Sequence, residues 1–171
     1  MGNELNLSVL CGCKVKHSLL KYLVVPKLFI LRHGESSPGS PDFDRPLSEQ
    51  GRLDIKRIGI ELAEQERELA TDKITLLSSP SSRTTETTQL LLSGLHNLKI
   101  SANYIEEGYL AAPGTWLRQI EKLPSEITTC IVVGHNPGIS ELITTLSGSQ
   151  ITMRPGACVK MELLINDWLE V

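Results

Sequence analysis

The chain has 171 residues, of which 40% are apolar and 22% are charged, and its formal net charge at pH 7 is −3. These values are close to those of ordinary globular proteins and argue against a disordered chain, a membrane protein and a basic nucleic-acid-binding protein. The length suits one domain with a substantial core.

Residues 1–26 differ from the rest in their charge, because they contain several basic side chains and a single acidic residue, Glu4. They lack the long apolar region of a signal peptide and the Arg and Ser of a transit peptide. Asn6 stands where a myristoylation signal would have Ser or Thr. We expect a poorly ordered extension without a role in the chemistry, followed by one folded domain over residues 27–171.

The cysteines point to a reducing compartment. Cys11, Cys13, Cys130 and Cys158 do not make a disulfide framework in a chain of this length. Cys130 and Cys158 fall in apolar runs and are predicted to be small buried side chains. We therefore expect a cytoplasmic protein.

The first predicted strand is the apolar run 28–31, bounded by Pro26 and by Gly34. Its hydrophobicity does not alternate, which is typical of a strand covered on both faces in a parallel sheet. Arg32 and His33 follow it directly. In open α/β sheets, ligands bind at the carboxyl ends of the strands, so both side chains are predicted to lie at a binding edge.

The next elements repeat this pattern. A surface loop spans 36–46, and Ser48 is predicted to cap a helix that runs to about residue 67 or 70. A strand over 74–78 leads to a second helix, capped by Ser81 or Ser82 and ending near Gly94. Arg83 in its first turn opposes the helix dipole, which favours a bound anion there. The alternative is an exposed arginine at a helix end.

The second half of the chain continues the alternation. We predict strands over 99–104 and 129–133, with a helix marked by Trp116 and Ile120 between them. His135 follows the strand 129–133, and another helix comes next. A partly alternating segment over 158–165 is predicted as a last strand at an edge. The order indicates a three-layer α/β sandwich with a mostly parallel sheet and helices on both faces.

Arg32, His33, Arg83 and His135 are therefore predicted to converge. Two arginines and two histidines without a nearby carboxylate or thiolate cluster make a poor metal site but a good dianion site. His33 is the candidate nucleophile, since a neutral imidazole can attack phosphorus. Arg32, Arg83 and His135, with backbone N–H groups around Gly34, are predicted to bind the phosphate.

Three motifs carry a resemblance to a known family: Leu-Arg-His-Gly at 31–34, Ser-Ser-Pro-Ser-Ser-Arg-Thr at 78–84 and Val-Gly-His-Asn-Pro-Gly at 133–138. They resemble the histidine phosphatase superfamily, which has the phosphoglycerate-mutase-like fold. Within it, Asp-Arg-Pro-Leu-Ser at 44–48 and Gly-Tyr-Leu-Ala-Ala-Pro at 108–113 are similar to the SixA group of phosphohistidine phosphatases. The resemblance covers the chain from about residue 27 onward.

The resemblance implies His33 as nucleophile, Arg32, Arg83 and His135 as its phosphate pocket, and neither metal nor cofactor. An acidic residue after the third strand is implied as general acid, and Glu107 or Glu106 lies in about that place; we favour Glu107. Two solvated loop carboxylates are the alternative, because the labile P–N bond to an imidazole needs less help from an acid than an ester does.

The short segment 93–110 leaves little room for a capping subdomain, which favours a phosphohistidine on another protein, such as a phosphotransfer domain, as substrate. Hydrolysis of small phosphate esters is the alternative. A phosphate-binding module without turnover is disfavoured by the intact set of four residues. No nucleic-acid or membrane partner is expected, and a monomer is favoured.

Overall fold

The computed structural model describes residues 25–64 and 73–171. These residues form a five-stranded sheet in the order β3-β2-β4-β1-β5, in which only β5 runs antiparallel to its neighbour. The predicted α/β fold and the edge position of the last strand are confirmed. The strands are β1 (Lys27–Arg32), β2 (Ile74–Ser78), β3 (Ile100–Tyr104), β4 (Thr129–Gly134) and β5 (Cys158–Glu162).

Helices cover both faces of this sheet, as predicted. In β1, Leu28 and Ile30 contribute to one hydrophobic core and Phe29 and Leu31 to the other. This alternation follows from the period of two in a strand and explains why the whole run is apolar. The helices are α1 (Glu49–Glu64) and α2 (Ser82–Gly94) on the Phe29 face, and α3 (Pro113–Ile120) and α4 (Gly138–Ser147) on the Leu28 face.

Short 3₁₀ turns complete the described fold, at Asp42–Asp44, Glu106–Gly108 and Trp168–Glu170. The last strand ends at Glu162, three residues before its predicted end. Residues 65–70, over which α1 was predicted to continue, lie outside the described residues, as do residues 1–24 of the predicted extension. Among the helices in the described part of the chain, none combines the length and apolar character needed to cross a membrane.

Two predicted helix caps have different outcomes. The Ser48 hydroxyl accepts a hydrogen bond from the backbone N–H of Gly51 at 3.0 Å, so it caps α1 as expected. Ser81 occupies the N-cap position of α2, but its side chain does not cap the helix. Its hydroxyl instead contacts the Thr84 hydroxyl at 2.9 Å and His135 at 3.4 Å. The side chain is therefore part of the polar edge of the sheet.

Candidate active site

The sheet register brings the three predicted strand ends together. Arg32 pairs with Gly134, and Ser78 pairs with Val133, so β1 and β2 end on either side of the end of β4. The backbone N–H of His33 then donates to the carbonyl of Gly134 at 3.2 Å. As a result, the residues that follow β1, β2 and β4 meet at one edge, as their order in the sequence indicated.

His33 is buried and held in one orientation. Its Nδ1 lies 2.7 Å from the carbonyl oxygen of Gly34, a contact that places the ring proton on Nδ1. Nε2 therefore carries the lone pair, and it accepts a hydrogen bond from Nε of Arg83 at 3.2 Å. A neutral imidazole with its lone pair on Nε2 is the form that a nucleophile requires.

The turn after His33 has no room for larger side chains. A Cβ on Gly34 would lie 2.9 Å from the carbonyl oxygen of Gly51, and a Cβ on Gly51 would lie 2.1 Å from that of Glu35. The backbone N–H of Gly34 donates to the Thr87 hydroxyl at 3.1 Å. The first turn of α1 thus packs directly on the histidine turn, and this packing fixes His33.

Arg83, in the first turn of α2, is 4% exposed, and each of its guanidinium nitrogens has a partner. Besides Nε, which binds His33, Nη1 donates to the carbonyl oxygen of Asp42 at 2.6 Å and Nη2 to its Oδ2 at 2.9 Å. The loop 36–46, which we expected to be a surface connection, therefore supplies a residue to the site. Asp42 was not identified from the sequence as a residue of the site.

His135 lies against His33, with ring centroids 5.0 Å apart and an interplanar angle of 58°. Its Nε2 is 2.8 Å from the hydroxyl of Ser79, a second residue that sequence reasoning did not identify. Nδ1 of His135 and Nε of Arg32 are buried and have no protein partner within the described residues. Arg32 is anchored through Nη1, which donates to the carbonyl of Met153 at 2.9 Å.

Tyr109 forms one wall of the site. Its ring packs edge-on against His135 at 5.4 Å, and the Arg83 guanidinium lies 5.9 Å from its centroid. The Tyr109 hydroxyl donates to Oδ2 of Asp42 at 2.6 Å. Phe43 packs on the outer edge of the tyrosine ring, 5.0 Å away. The aromatic wall comes from two loops, 36–46 and the turn before α3.

Glu106 and Glu107 are both exposed, in the 3₁₀ turn that precedes Tyr109. The Glu107 carboxylate accepts a hydrogen bond from the Gln119 side chain at 2.8 Å. The contact places it against α3, at the surface. A role for Glu107 as general acid stays a prediction.

Burial and charge keep both histidines neutral at pH 7. Burial is the main cause that lowers the pKa of His33 to about 4, and the charges of Arg83 and Arg32 act in the same direction against the opposing Gly34 hydrogen bond. Burial, followed by the charges of His33 and Arg83, lowers the pKa of His135 to about 3. The hydrogen bond from Tyr109, then those from Arg45 and Arg83, holds the pKa of Asp42 far below its usual range.

These values predict how activity depends on pH. On the prediction that a neutral His33 attacks phosphorus, we expect kcat/KM on a phosphorylated substrate, corrected for the second ionisation of its phosphate near pH 6, to stay constant down to about pH 5 and to fall through about pH 4. The sign follows from the lowered pKa, since protonation removes the lone pair. Circular dichroism at each pH separates loss of activity from unfolding. A corrected midpoint near 6.5 would contradict the buried, neutral nucleophile.

The arrangement is suited to a compact oxyanion. Two guanidinium groups and two imidazoles lie around one strand edge, and guanidinium N–H groups match the oxygens of a phosphate. In the residues that the structure describes, no three His, Cys, Asp or Glu side chains are grouped so that they could hold a metal ion. The predicted chemistry, nucleophilic attack by His33 with charge stabilisation by the arginines, is one that these groups are suited to.

Comparison with known proteins agrees with this geometry. Residues 28–126 match the sequence model of the histidine phosphatase superfamily (branch 1). An uncharacterized protein of Mycobacterium tuberculosis is 34% identical over 120 residues, which cover 68% of this chain and 70% of the relative.

Two solved structures share the fold. The SixA protein of Agrobacterium tumefaciens has a TM-score of 0.70 at 23% identity, covering 81% of this chain and 92% of that one. A protein histidine phosphatase SixA complexed with tungstate has a TM-score of 0.68 at 24% identity, covering 78% and 86%. At these identities, the two likenesses establish the fold.

Proposed function

Because the chain belongs to the histidine phosphatase superfamily, we propose that it is a phosphohistidine phosphatase that removes phosphate from a histidine of another protein. The observation that carries the proposal is the His33 ring, fixed through Nδ1, with the lone pair of Nε2 beside the Arg83 guanidinium. Covalent catalysis through His33 needs no metal in this scheme.

The reaction proceeds in two steps. Nε2 of His33 attacks phosphorus, the new P–N bond forms as the bond to the substrate imidazole breaks, and the leaving ring takes up a proton. Water then attacks the phosphoryl group on His33, which releases inorganic phosphate and restores the neutral imidazole. Arg32, Arg83 and His135 hold the phosphoryl oxygens, where charge stabilisation contributes most to phosphoryl transfer.

Unsatisfied nitrogens support an oxyanion as the ligand. Nε of Arg32 and Nδ1 of His135 are buried without a protein partner in the described residues. Burying an unpaired donor costs about 1–3 kcal/mol. A phosphoryl group would remove that cost by accepting hydrogen bonds from Nε of Arg32 and, in the tautomer in which the Ser79 hydroxyl donates to Nε2, from Nδ1 of His135.

A macromolecular substrate is favoured by the short connections around the site. Between α2 and α3, the chain forms only β3 and the 3₁₀ turn Glu106–Gly108, so no subdomain covers the phosphate pocket from that side. The likeness to the SixA structures supports the same substrate class. A pocket with few walls selects a small molecule poorly but admits a side chain on a protein surface.

The experiment that tests this proposal compares kcat/KM on a phosphohistidine-bearing phosphotransfer domain with kcat/KM on a panel of alkyl and aryl phosphates. We expect the phosphoprotein to be preferred by about tenfold or more, which corresponds to about 1.4 kcal/mol in the transition state. A preference for esters would favour the alternative, a phosphomonoesterase with the same mechanism. Binding without turnover would indicate a phosphate-binding module. Cytoplasmic location and a monomeric state stay predictions.

A further inference from the structure

The guanidinium of Arg83, the proposed phosphate clamp, already binds an anion that belongs to the chain itself. Oδ2 of Asp42 accepts from Nη2 at 2.9 Å, and the backbone oxygen of Asp42 accepts from Nη1 at 2.6 Å. A phosphoryl oxygen that binds these same N–H groups of Nη1 and Nη2 must therefore replace the oxygens of Asp42, because two anions on one pair of donors repel each other strongly.

The two partners are held very differently. The Arg83 side chain is 5% exposed and the Asp42 side chain is 48% exposed. The 3₁₀ turn that carries Asp42 contains no buried residue. Moving the arginine would disrupt the site. Moving the turn separates Phe43 from Tyr109 but touches neither hydrophobic core, so the carboxylate is the partner that can leave.

Two residues other than Arg83 also hold the carboxylate of Asp42 in place. Tyr109 donates to Oδ2 at 2.6 Å, and Nη1 of Arg45 lies 2.8 Å from Oδ1. Arg45 also donates through Nε to the carbonyl of Ser37 and through Nη2 to the hydroxyl of Ser36, which ties the loop together. The position of Asp42 on Arg83 is thus specified by other side chains.

We propose that Asp42 is an internal competitor for the phosphate clamp: its carboxylate occupies Arg83 in the resting protein, gives way to the phosphoryl group of the substrate, and returns as phosphate leaves. This inference rests on the proposed function and makes Asp42 a residue that sets the affinity of the phosphate pocket. A phosphoprotein gains contacts beyond its phosphoryl group and can displace the carboxylate. Free inorganic phosphate makes no such additional contacts, so competition with the carboxylate weakens its binding as product.

The test measures the Kd of inorganic phosphate by isothermal titration at fixed ionic strength, using the full chain. Asp42→Asn keeps the size of the side chain and removes the competing charge, and we expect it to lower Kd by about five- to tenfold. Asp44→Asn removes the same charge from the same exposed 3₁₀ turn and is the matched control. We expect Asp44→Asn to change Kd by less than about twofold.

A second variant removes the hydrogen bond from Tyr109 to the same carboxylate. Tyr109→Phe removes only the hydroxyl that holds Oδ2, and we expect a smaller decrease in Kd, of about two- to threefold. If Asp42→Asn leaves Kd unchanged or raises it, Asp42 serves to orient Arg83 and the competitor proposal is overturned. If phosphate binds neither the unmodified protein nor any variant, the phosphate site itself is lost, and the proposed function with it. Thermal unfolding of each variant verifies that the fold is retained.

Discussion

Replacing His33 with alanine is expected to lower kcat/KM by roughly 10⁴-fold or more while the fold is retained. The imidazole is the only protein group in the proposed mechanism that forms a bond to phosphorus, so the arginines alone cannot supply the covalent step. The side chain lies at the edge of the sheet, beyond the end of β1, and makes its described contacts with Gly34, Arg83 and His135. Its loss therefore leaves both hydrophobic cores intact.

The measurement is single-turnover and steady-state dephosphorylation of a phosphohistidine protein, with circular dichroism to verify folding. His96→Ala is the matched control, because His96 is exposed in the turn after α2, at the opposite end of that helix from Arg83. An alkaline quench of the unmodified protein should also trap phosphate on His33, since phosphohistidine survives base. Undiminished turnover by His33→Ala would exclude the mechanism.

Arg83→Lys is expected to reduce kcat/KM by about 10²- to 10³-fold, even though the charge is kept. The arginine uses its three nitrogens at once, with Nε on His33 and both Nη atoms available to an anion once Asp42 has moved. A lysine has one point of attachment. Its three N–H groups are all on one nitrogen, so they do not reproduce the planar fork with which arginine contacts His33 and two phosphoryl oxygens at the same time.

Arg57→Lys provides the control for the change of side chain, since Arg57 is 69% exposed on α1. We expect no more than about a twofold effect there. A titration with inorganic phosphate completes the comparison, because loss of the clamp should weaken phosphate binding as well as turnover. If Arg83→Lys retains full kcat/KM, the fork of N–H groups is not required and the clamp has been misassigned.

Much of this architecture could be read from the sequence because strong local patterns specify it. Leu28, Phe29, Ile30 and Leu31 fill both cores, and only a strand buried on both faces requires such a run. The alternation of strands and helices predicts parallel strands, whose carboxyl ends lie at one edge of the sheet. Arg32, His33, Arg83 and His135 were predicted to converge for that reason, since each ends a strand or follows one closely.

The residues that were missed have no such pattern. Asp42 lies in a loop rich in Ser, Pro, Gly and Asp, where an acidic residue is ordinary, and only the tertiary contact with Arg83 sets it apart. Ser79 is one of four serines in the stretch 78–82, and its contact with His135 depends on the register of β2 against β4. Tyr109 fell within a stretch that resembled the SixA group, but its role as a wall depends on ring geometry.

The central position of β4 affects both the local stability of the fold and the positions at which the protein tolerates substitutions. All six residues of β4 are buried between β2 and β1, and His135 follows it directly. Its amides should be among the slowest to exchange with solvent, whereas those of the turn Asp42–Asp44 should exchange rapidly. Substitutions in that turn can therefore accumulate, in a lineage or in the laboratory, without lowering the stability of the sheet that positions His33 and His135.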